Sequence, residues 1–313
     1  MSHVYVLVEH DAGQLNPVTA ELISAANRLG VVSAVVVGGY GAELAEQLGQ
    51  LGAVQVVDVS APDYAERLII PEVEALQILG EANPAPIFIA STATGNEIAG
   101  RLAVRLNSGV LSGVTDINND RTAKHEIFGG SIDITSKAHG PCPVITLRPG
   151  NVVAQPQPVE ATVAPMALNQ PVASEVNVDA FTPAVKSTRP ELTVAKTVVA
   201  GGRGVGDEFS TIVEPLADVL GGAVGATRDV VDDGFYDKSA QIGQTGVTVS
   251  PDLYIGLGIS GAIQHTTGMQ TAGTIVVINQ DQDEPFFEIA DLGVVGDVHE
   301  IAPALIAELN SRA

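Results

Sequence analysis

A chain of 313 residues with a formal net charge of −22 is long enough for two domains, and its surface repels nucleic acid and anionic lipid. Apolar residues make up 45% and mean hydropathy is +0.26, enough for two cores; aromatics are only 4% and Trp is absent, which leaves the Ala, Val, Leu, Ile and Gly of parallel sheets covered by helices. A single cysteine, Cys142 between Pro141 and Pro143, excludes an intramolecular disulfide, and no Cys/His spacing points to a metal site.

The opening residues read as a short strand rather than a secretory signal, because no basic segment precedes a long apolar core. No run reaches the roughly 18 apolar residues of a membrane span. The expectation is a cytoplasmic protein that is not itself a membrane protein.

Across the first 150 residues short apolar runs alternate with amphipathic stretches. Strands are expected at residues 4–8, 34–37, 54–57, 87–90 and 144–147, and helices at 18–29, 42–51, 70–79 and 97–106. That alternation implies right-handed βαβ units and a doubly wound sheet. Residues 127–135 alternate instead, which suits an antiparallel edge.

Seven prolines fall between residues 149 and 190, where periodicity mostly disappears, although residues 176–181 still alternate as an extended strand would. The domain boundary is expected near Arg189-Pro190, separating 1–190 from 191–313. Beyond it, residues 196–200 read as a strand that runs into the turn Gly201-Gly202-Arg203-Gly204. A helix at 209–220, strands at 253–258 and 274–279, and a closing helix at 298–309 complete the pattern. The fold class is α/β, with two three-layer doubly wound domains.

From Glu191 onward there are eighteen acidic and five basic residues: Lys196, Arg203, Arg228, Lys238 and Arg312. Two of the five arise within glycine-rich turns, which suggests an anionic ligand; a carbonyl-capping arginine is the plainer alternative. The segment 253–265 runs a strand into glycines, with Ser260 placed to cap a helix from Gly261 and so form an anion site. Gly256-x-Gly258-x-x-Gly261 also fits the dinucleotide fingerprint, with Asp281 where a ribose-binding acid belongs, so an NAD(P)-dependent oxidoreductase is the alternative reading.

The run Leu253-Tyr254-Ile255-Gly256-Leu257-Gly258-Ile259-Ser260-Gly261-Ala262-Ile263-Gln264-His265, continued through Gly268-Met269 and residues 274–279, closely resembles the signature of the electron transfer flavoprotein alpha subunit. Four more blocks agree in order and spacing: Val199-Ala200-Gly201-Gly202-Arg203-Gly204, Val224-Gly225-Ala226-Thr227-Arg228, Ile242-Gly243-Gln244-Thr245-Gly246 and Ala290-Asp291-Leu292-Gly293-Val294-Val295-Gly296-Asp297. Val6-Leu7-Val8-Glu9-His10, residues 97–102 and Ile127-Phe128-Gly129-Gly130 extend the likeness over the N-terminal domain.

The resemblance implies a Rossmann-like C-terminal domain that binds FAD, a heterodimer with a beta subunit, and no small-substrate turnover of its own. It also implies electrons received from acyl-CoA and related dehydrogenases of fatty acid β-oxidation and delivered to a membrane quinone oxidoreductase. By position, Arg203 matches the arginine at the FAD pyrophosphate region, Thr227 a hydroxyl touching the cofactor, and Arg228 the arginine over the flavin. Ile242, Gly243, Gln244 and Thr245 match a flavin-contacting loop. Ser260, Gly261, Ala262, Ile263, Gln264 and His265 match the loop for phosphates and flavin, with His265 near the pyrimidine carbonyl. Asn279 and Asp297 match positions for the adenosine half.

A cation, a donor and a helix N-terminus near the flavin pyrimidine would stabilise charge arriving there. The chain departs from the family at Gly256 (commonly Ala), Val247 and Gln280 (commonly Lys), Leu292 (commonly Tyr) and His299-Glu300 (a frequent Phe-Lys pair). These departures bear on the redox potential and the partner contacts.

Overall fold

The computed structural model describes residues 3–11, 13–128, 130–170, 176–182 and 188–312. It divides into two compact units, Met1–Pro183 and Ala184–Ala313.

In the first unit β1 (His3–Leu7) is followed by the small hairpin β2 (His10–Asp11) and β3 (Gln14–Leu15), then α1 (Val18–Asn27), β4 (Val31–Val37), α2 (Gly41–Leu51) and β5 (Gln55–Ser60). Next come α3 (Ile70–Ala82), β6 (Ile87–Ala90), α4 (Ala93–Arg105), β7 (Val110–Val114), β8 (Asp116–Ile117), β9 (Ala123–Ile127), β10 (Ile132–Ser136), β11 (Val144–Leu147) and β12 (Thr162–Ala167). Seven strands form one sheet in the order β12-β5-β4-β1-β6-β11-β7, and every neighbouring pair is parallel.

Along β1 the side chains alternate between two cores, because a pleated strand faces both helix layers. Val4 and Val6 pack with Leu22, Ile23, Leu44 and Leu48 of α1 and α2. Tyr5 and Leu7 pack with Val73, Leu76, Ile98 and Leu102 of α3 and α4. Cys142 is buried in this second core, as a small packed side chain.

Three expectations change here. Residues 127–135 are not an edge of the main sheet: they straddle the turn between β9 and β10, which pair antiparallel in a separate three-stranded sheet with β8. The alternation at 176–181 produces no strand; Val178 instead donates its N–H to the Glu66 carbonyl at 2.8 Å. The proline-rich stretch does supply one strand, β12, which pairs parallel with β5 from Thr162 to Ala167. Pro165 is tolerated because β12 has a neighbour on one side only.

The second unit contains β13 (Thr197–Gly201), α5 (Val213–Val219), β14 (Ala223–Ala226), α6 (Arg228–Asp232), β15 (Leu253–Leu257), α7 (Ile263–Thr266), β16 (Thr274–Asn279), β17 (Leu292–Val295) and α8 (Val298–Arg312). Its five strands are parallel in the order β14-β13-β15-β16-β17. Numbered by sequence this is the doubly wound order 2-1-3-4-5, which reverses between β13 and β15 and opens a crevice at their carboxyl ends.

One face of the sheet is covered by α5, α6 and α8 through Val213, Leu216, Val230, Val298 and Ala302. The other is closed mainly by loops that contribute Ile242, Val249, Ile259, Met269 and Phe286. The helix expected at 209–220 is split into a 3-10 turn, Glu208–Ser210, and α5. Pro215, in the first turn of α5, has no N–H to extend a helix through that point.

Candidate functional site

A cavity of about 650 Å³ lies at the β13/β15 switch point, within the roughly 300–1,000 Å³ typical of cofactor pockets. Its floor is two glycine turns in direct backbone contact. Gly202 donates to the Leu257 carbonyl at 2.9 Å and Gly204 to that of Gly258 at 3.0 Å. A Cβ on Gly204 would lie 2.7 Å from the Gly258 Cα, and Gly258 itself has φ +59°, so both positions require glycine.

Among the described residues no hydrogen bond takes the backbone N–H of Ser260, Gly261 or Ala262. Three successive donors beside the cavity suit an anion. The helix expected here differs, however: α7 begins only at Ile263, is four residues long, and has no side-chain cap. Gly261 has φ +87° and lies against the Phe286 backbone, while the Ser260 carbonyl accepts from the Phe286 N–H at 3.1 Å. This turn consumes the residues a helix would need, so the anion site is loop amides rather than a helix dipole. The dinucleotide fingerprint fails for the same reason, since no long helix follows Gly261 and Gly256 lies inside β15 beneath the Phe286 ring.

Arg203 leaves β13 and pairs with Asp229 at 3.3 Å; Arg228 opens α6 and pairs with Asp232 at 3.0 Å. All four line the cavity, as do Asp281 and Glu284, so two arginines face four carboxylates. Thr227, before α6, is buried and also lines the cavity, yet its hydroxyl has no hydrogen-bond partner. An orphaned hydroxyl on a cavity wall is the mark of a group waiting for a ligand atom.

Opposite lies the loop 241–247. Gln244 donates its backbone N–H to the Gln264 carbonyl at 2.7 Å, and Gln241 donates Nε2 to the Thr245 hydroxyl at 2.8 Å. Gly243, at φ +132°, leaves no room for a Cβ against the Gln264 carbonyl. The loop backbone is therefore fixed to α7, and the Gln241–Thr245 bond ties its two ends.

His265 is buried and both ring nitrogens are engaged: Nε2 with the Tyr254 hydroxyl at 2.8 Å and Nδ1 with the Ile242 carbonyl at 3.2 Å. Burial pushes its pKa down to about 4, so the ring is neutral near pH 7. Asn279, at the end of β16, donates to the Ile259 carbonyl at 3.1 Å and accepts from the Asp281 N–H at 3.2 Å.

Of the residues singled out from the sequence, Arg203, Thr227, Arg228, Ile242, Gln244, Thr245, Ser260, Ala262, Gln264, His265 and Asn279 line this one cavity. Gly243, Gly261 and Ile263 shape its loops without lining it. Asp297 stands apart, accepting at 2.9 Å from the His299 N–H at the start of α8. The sequence reading omitted Asp229 and Asp232, although both lie within four residues of Arg228 and are the expected counter-ions of exposed arginines in so acidic a unit.

Comparison with known proteins gives a consistent result. The family described as "Electron transfer flavoprotein domain" matches residues 4–196, and "Electron transfer flavoprotein FAD-binding domain" matches residues 191–270. The chain is 49% identical over 318 aligned positions to the electron transfer flavoprotein subunit alpha of Mycobacterium leprae, covering 100% of this chain and 99% of that one. It is 38% identical to the mitochondrial alpha subunit of Dictyostelium discoideum, covering 96% and 89%, and 37% identical to the alpha subunit of Paracoccus denitrificans, covering 98% and 99%.

Proposed function

The chain belongs to the electron transfer flavoprotein alpha-subunit family, and from that premise we propose that it pairs with a beta subunit and relays electrons from acyl-CoA and related dehydrogenases to a membrane quinone oxidoreductase. Family membership makes it an electron carrier with FAD as cofactor, without small-substrate turnover of its own. Among the described residues no helix is long and apolar enough to cross a membrane. We place the complex in the cytoplasm and its electron supply in fatty acid β-oxidation.

The observation that carries the reading is the switch-point cavity, which is lined by an orphaned Thr227 hydroxyl, two arginines, and Ser260 and Ala262 of a turn whose amides take no hydrogen bond among the described residues. These groups fit FAD. Bound there, the cofactor supplies reversible uptake and release of electrons.

The chain's own residues do the rest. Arg203 and the amides of Ser260, Gly261 and Ala262 offset the pyrophosphate charge, and the Thr227 hydroxyl gives the cofactor a hydrogen bond. Arg228 places a cation beside the flavin, where it stabilises added negative charge. Ile242, Gly243, Gln244 and Thr245 orient the ring through a loop that is already held, and Gln264 and His265 complete that wall on the short helix that Ile263 opens. Asn279 serves the adenosine half; Asp297, outside the cavity, is assigned to it by its place in the sequence alone.

Co-expression with the beta subunit tests the proposal. The expected product is a yellow 1:1 complex on light scattering, bleached when an acyl-CoA dehydrogenase and its substrate are added. A colourless complex with affinity for NAD, or a stable flavinylated monomer, would overturn it.

A further inference from the structure

We propose that Tyr254 is a positioning residue that fixes the tautomer and orientation of His265, leaving the flavin pocket a neutral imidazole with both nitrogens already satisfied. The inference rests on the FAD reading only for its consequence; the hydrogen bonds themselves belong to the chain.

The assignment follows from which atoms can donate. The Ile242 carbonyl can only accept, so the Nδ1 facing it at 3.2 Å carries the proton. A neutral imidazole has one N–H, so Nε2 is an acceptor, and the Tyr254 hydroxyl 2.8 Å away must donate to it. The phenol thus locks from the β15 side what the carbonyl sets from the loop side.

Tyr254 and Phe286 are fully buried and His265 is 6% exposed. The three rings form one cluster: Tyr254 to His265 at 6.2 Å, Tyr254 to Phe286 at 6.2 Å and His265 to Phe286 at 6.1 Å with an interplanar angle of 88°. Gly256 makes room for the third ring, since a Cβ there would lie 2.4 Å from Phe286 Cε1. This accounts for a glycine where the family commonly has alanine. The cluster shuts water away from Nε2, so the imidazole has no other donor at hand.

The consequence is a division of labour. The cationic part of the site falls to Arg228 and Arg203, and His265 contributes shape and a fixed dipole instead of a proton. Removing the phenol hydroxyl leaves Nε2 without a partner in a buried site, so the ring loses the contact that fixes its tautomer and orientation and the flavin midpoint potential should shift.

The test is 15N NMR of the histidine side chains in the co-expressed complex, with FAD bound and after its removal, for wild type and Tyr254→Phe. Wild type should show His265 with a pyrrole-type Nδ1 and a hydrogen-bonded pyridine-type Nε2 in both states. Tyr254→Phe should move the Nε2 resonance and shift the midpoint potential. A tyrosine that merely fills space would change the melting temperature and leave the nitrogen shifts and the potential unaltered, and that result overturns the proposal. So does an Nε2–H tautomer or an imidazolium in wild type at neutral pH, a measurement that stands even if the variant fails to fold. A colourless complex would count against the FAD reading alone, because the tautomer is still read from the protein.

Discussion

Both units present a crevice at the carboxyl ends of a doubly wound parallel sheet, and the two crevices share almost no chemistry. In the N-terminal unit the reversal falls between β1 and β6, and the cavity there is about 310 Å³, lined by Glu9, His10, Tyr64, Glu72 and Thr92. No arginine or lysine lines it among the described residues, and no pair of glycine turns crosses its floor. The C-terminal crevice is about 650 Å³, floored by Gly202, Gly204 and Gly258 and flanked by two arginines. Topology opens a crevice in each unit, and loop chemistry decides which of them can take a dinucleotide.

The largest effect should come from the glycine crossing. In Gly204→Val the added side chain meets the Gly258 backbone, where an ideal Cβ already lies 2.7 Å from the neighbouring Cα. Overpacking of this kind costs about 1–3 kcal/mol, and the backbones must part to relieve it. The complex should purify without flavin absorbance. The matched control in the other unit is Gly39, which has φ +83° but nothing within 4 Å of its Cβ position. Gly39→Ala should cost about 1–2 kcal/mol of stability through its backbone conformation alone and keep full flavin content. Equal flavin loss in both variants would mean that the crossing has no special role.

Next in size is Arg203→Ala. Losing a charge-assisted contact costs about 1.5–3 kcal/mol, or roughly ten- to a hundredfold in FAD affinity. Equilibrium dialysis reads it directly. FAD retained as well as in wild type would remove Arg203 from the pyrophosphate contact and weaken the contrast with the arginine-free crevice. Asp229→Asn should act in the opposite direction and less strongly. It releases Arg203 from an ion pair whose side chains are 72% and 62% exposed. Such pairs are weak and screened, so FAD should bind only about two- to fivefold tighter, with the gain shrinking as salt rises.

How much of this was legible in the sequence depends on how local the signal is. The helices and buried strands of both units show as apolar periodicity, because each faces a continuous core. β12 does not, since an edge strand with four of its six residues exposed and Pro165 inside carries little pattern of its own. The alternation at 176–181 misled, because period two marks a strand only where a neighbouring strand takes its hydrogen bonds. At the site, the glycines and arginines were visible as residue types. Ser260 and Gly261 looked like a helix start, yet the turn they make is set by Phe286, twenty-five residues beyond Gly261. The pairing of Tyr254 with His265 was equally hidden, since nothing in a spacing of eleven residues predicts a buried hydrogen bond.

The smallest expected effect belongs to the N-terminal crevice and sharpens the comparison from its other side. Glu72 accepts from the Tyr64 hydroxyl at 2.8 Å through Oε1, while Oε2 is buried without a partner. Burial raises its pKa, as it does for Glu9, against the smaller pull of the Tyr64 hydrogen bond and of His10 and Arg67. A carboxyl whose pKa is raised on folding holds its proton longer in the native state than in the unfolded chain. Stability is then fully present below the unfolded pKa and declines as pH climbs through the folded one. Glu72→Gln keeps an oxygen for Tyr64 and cannot ionise, so it removes that decline. Its melting temperature should match wild type at about pH 4 and exceed it by a few degrees at about pH 8, with flavin content unchanged at both. If the variant is instead less stable at the higher pH, the ionised carboxylate is held by a cation in the native protein. The N-terminal crevice would then be a working site with chemistry of its own.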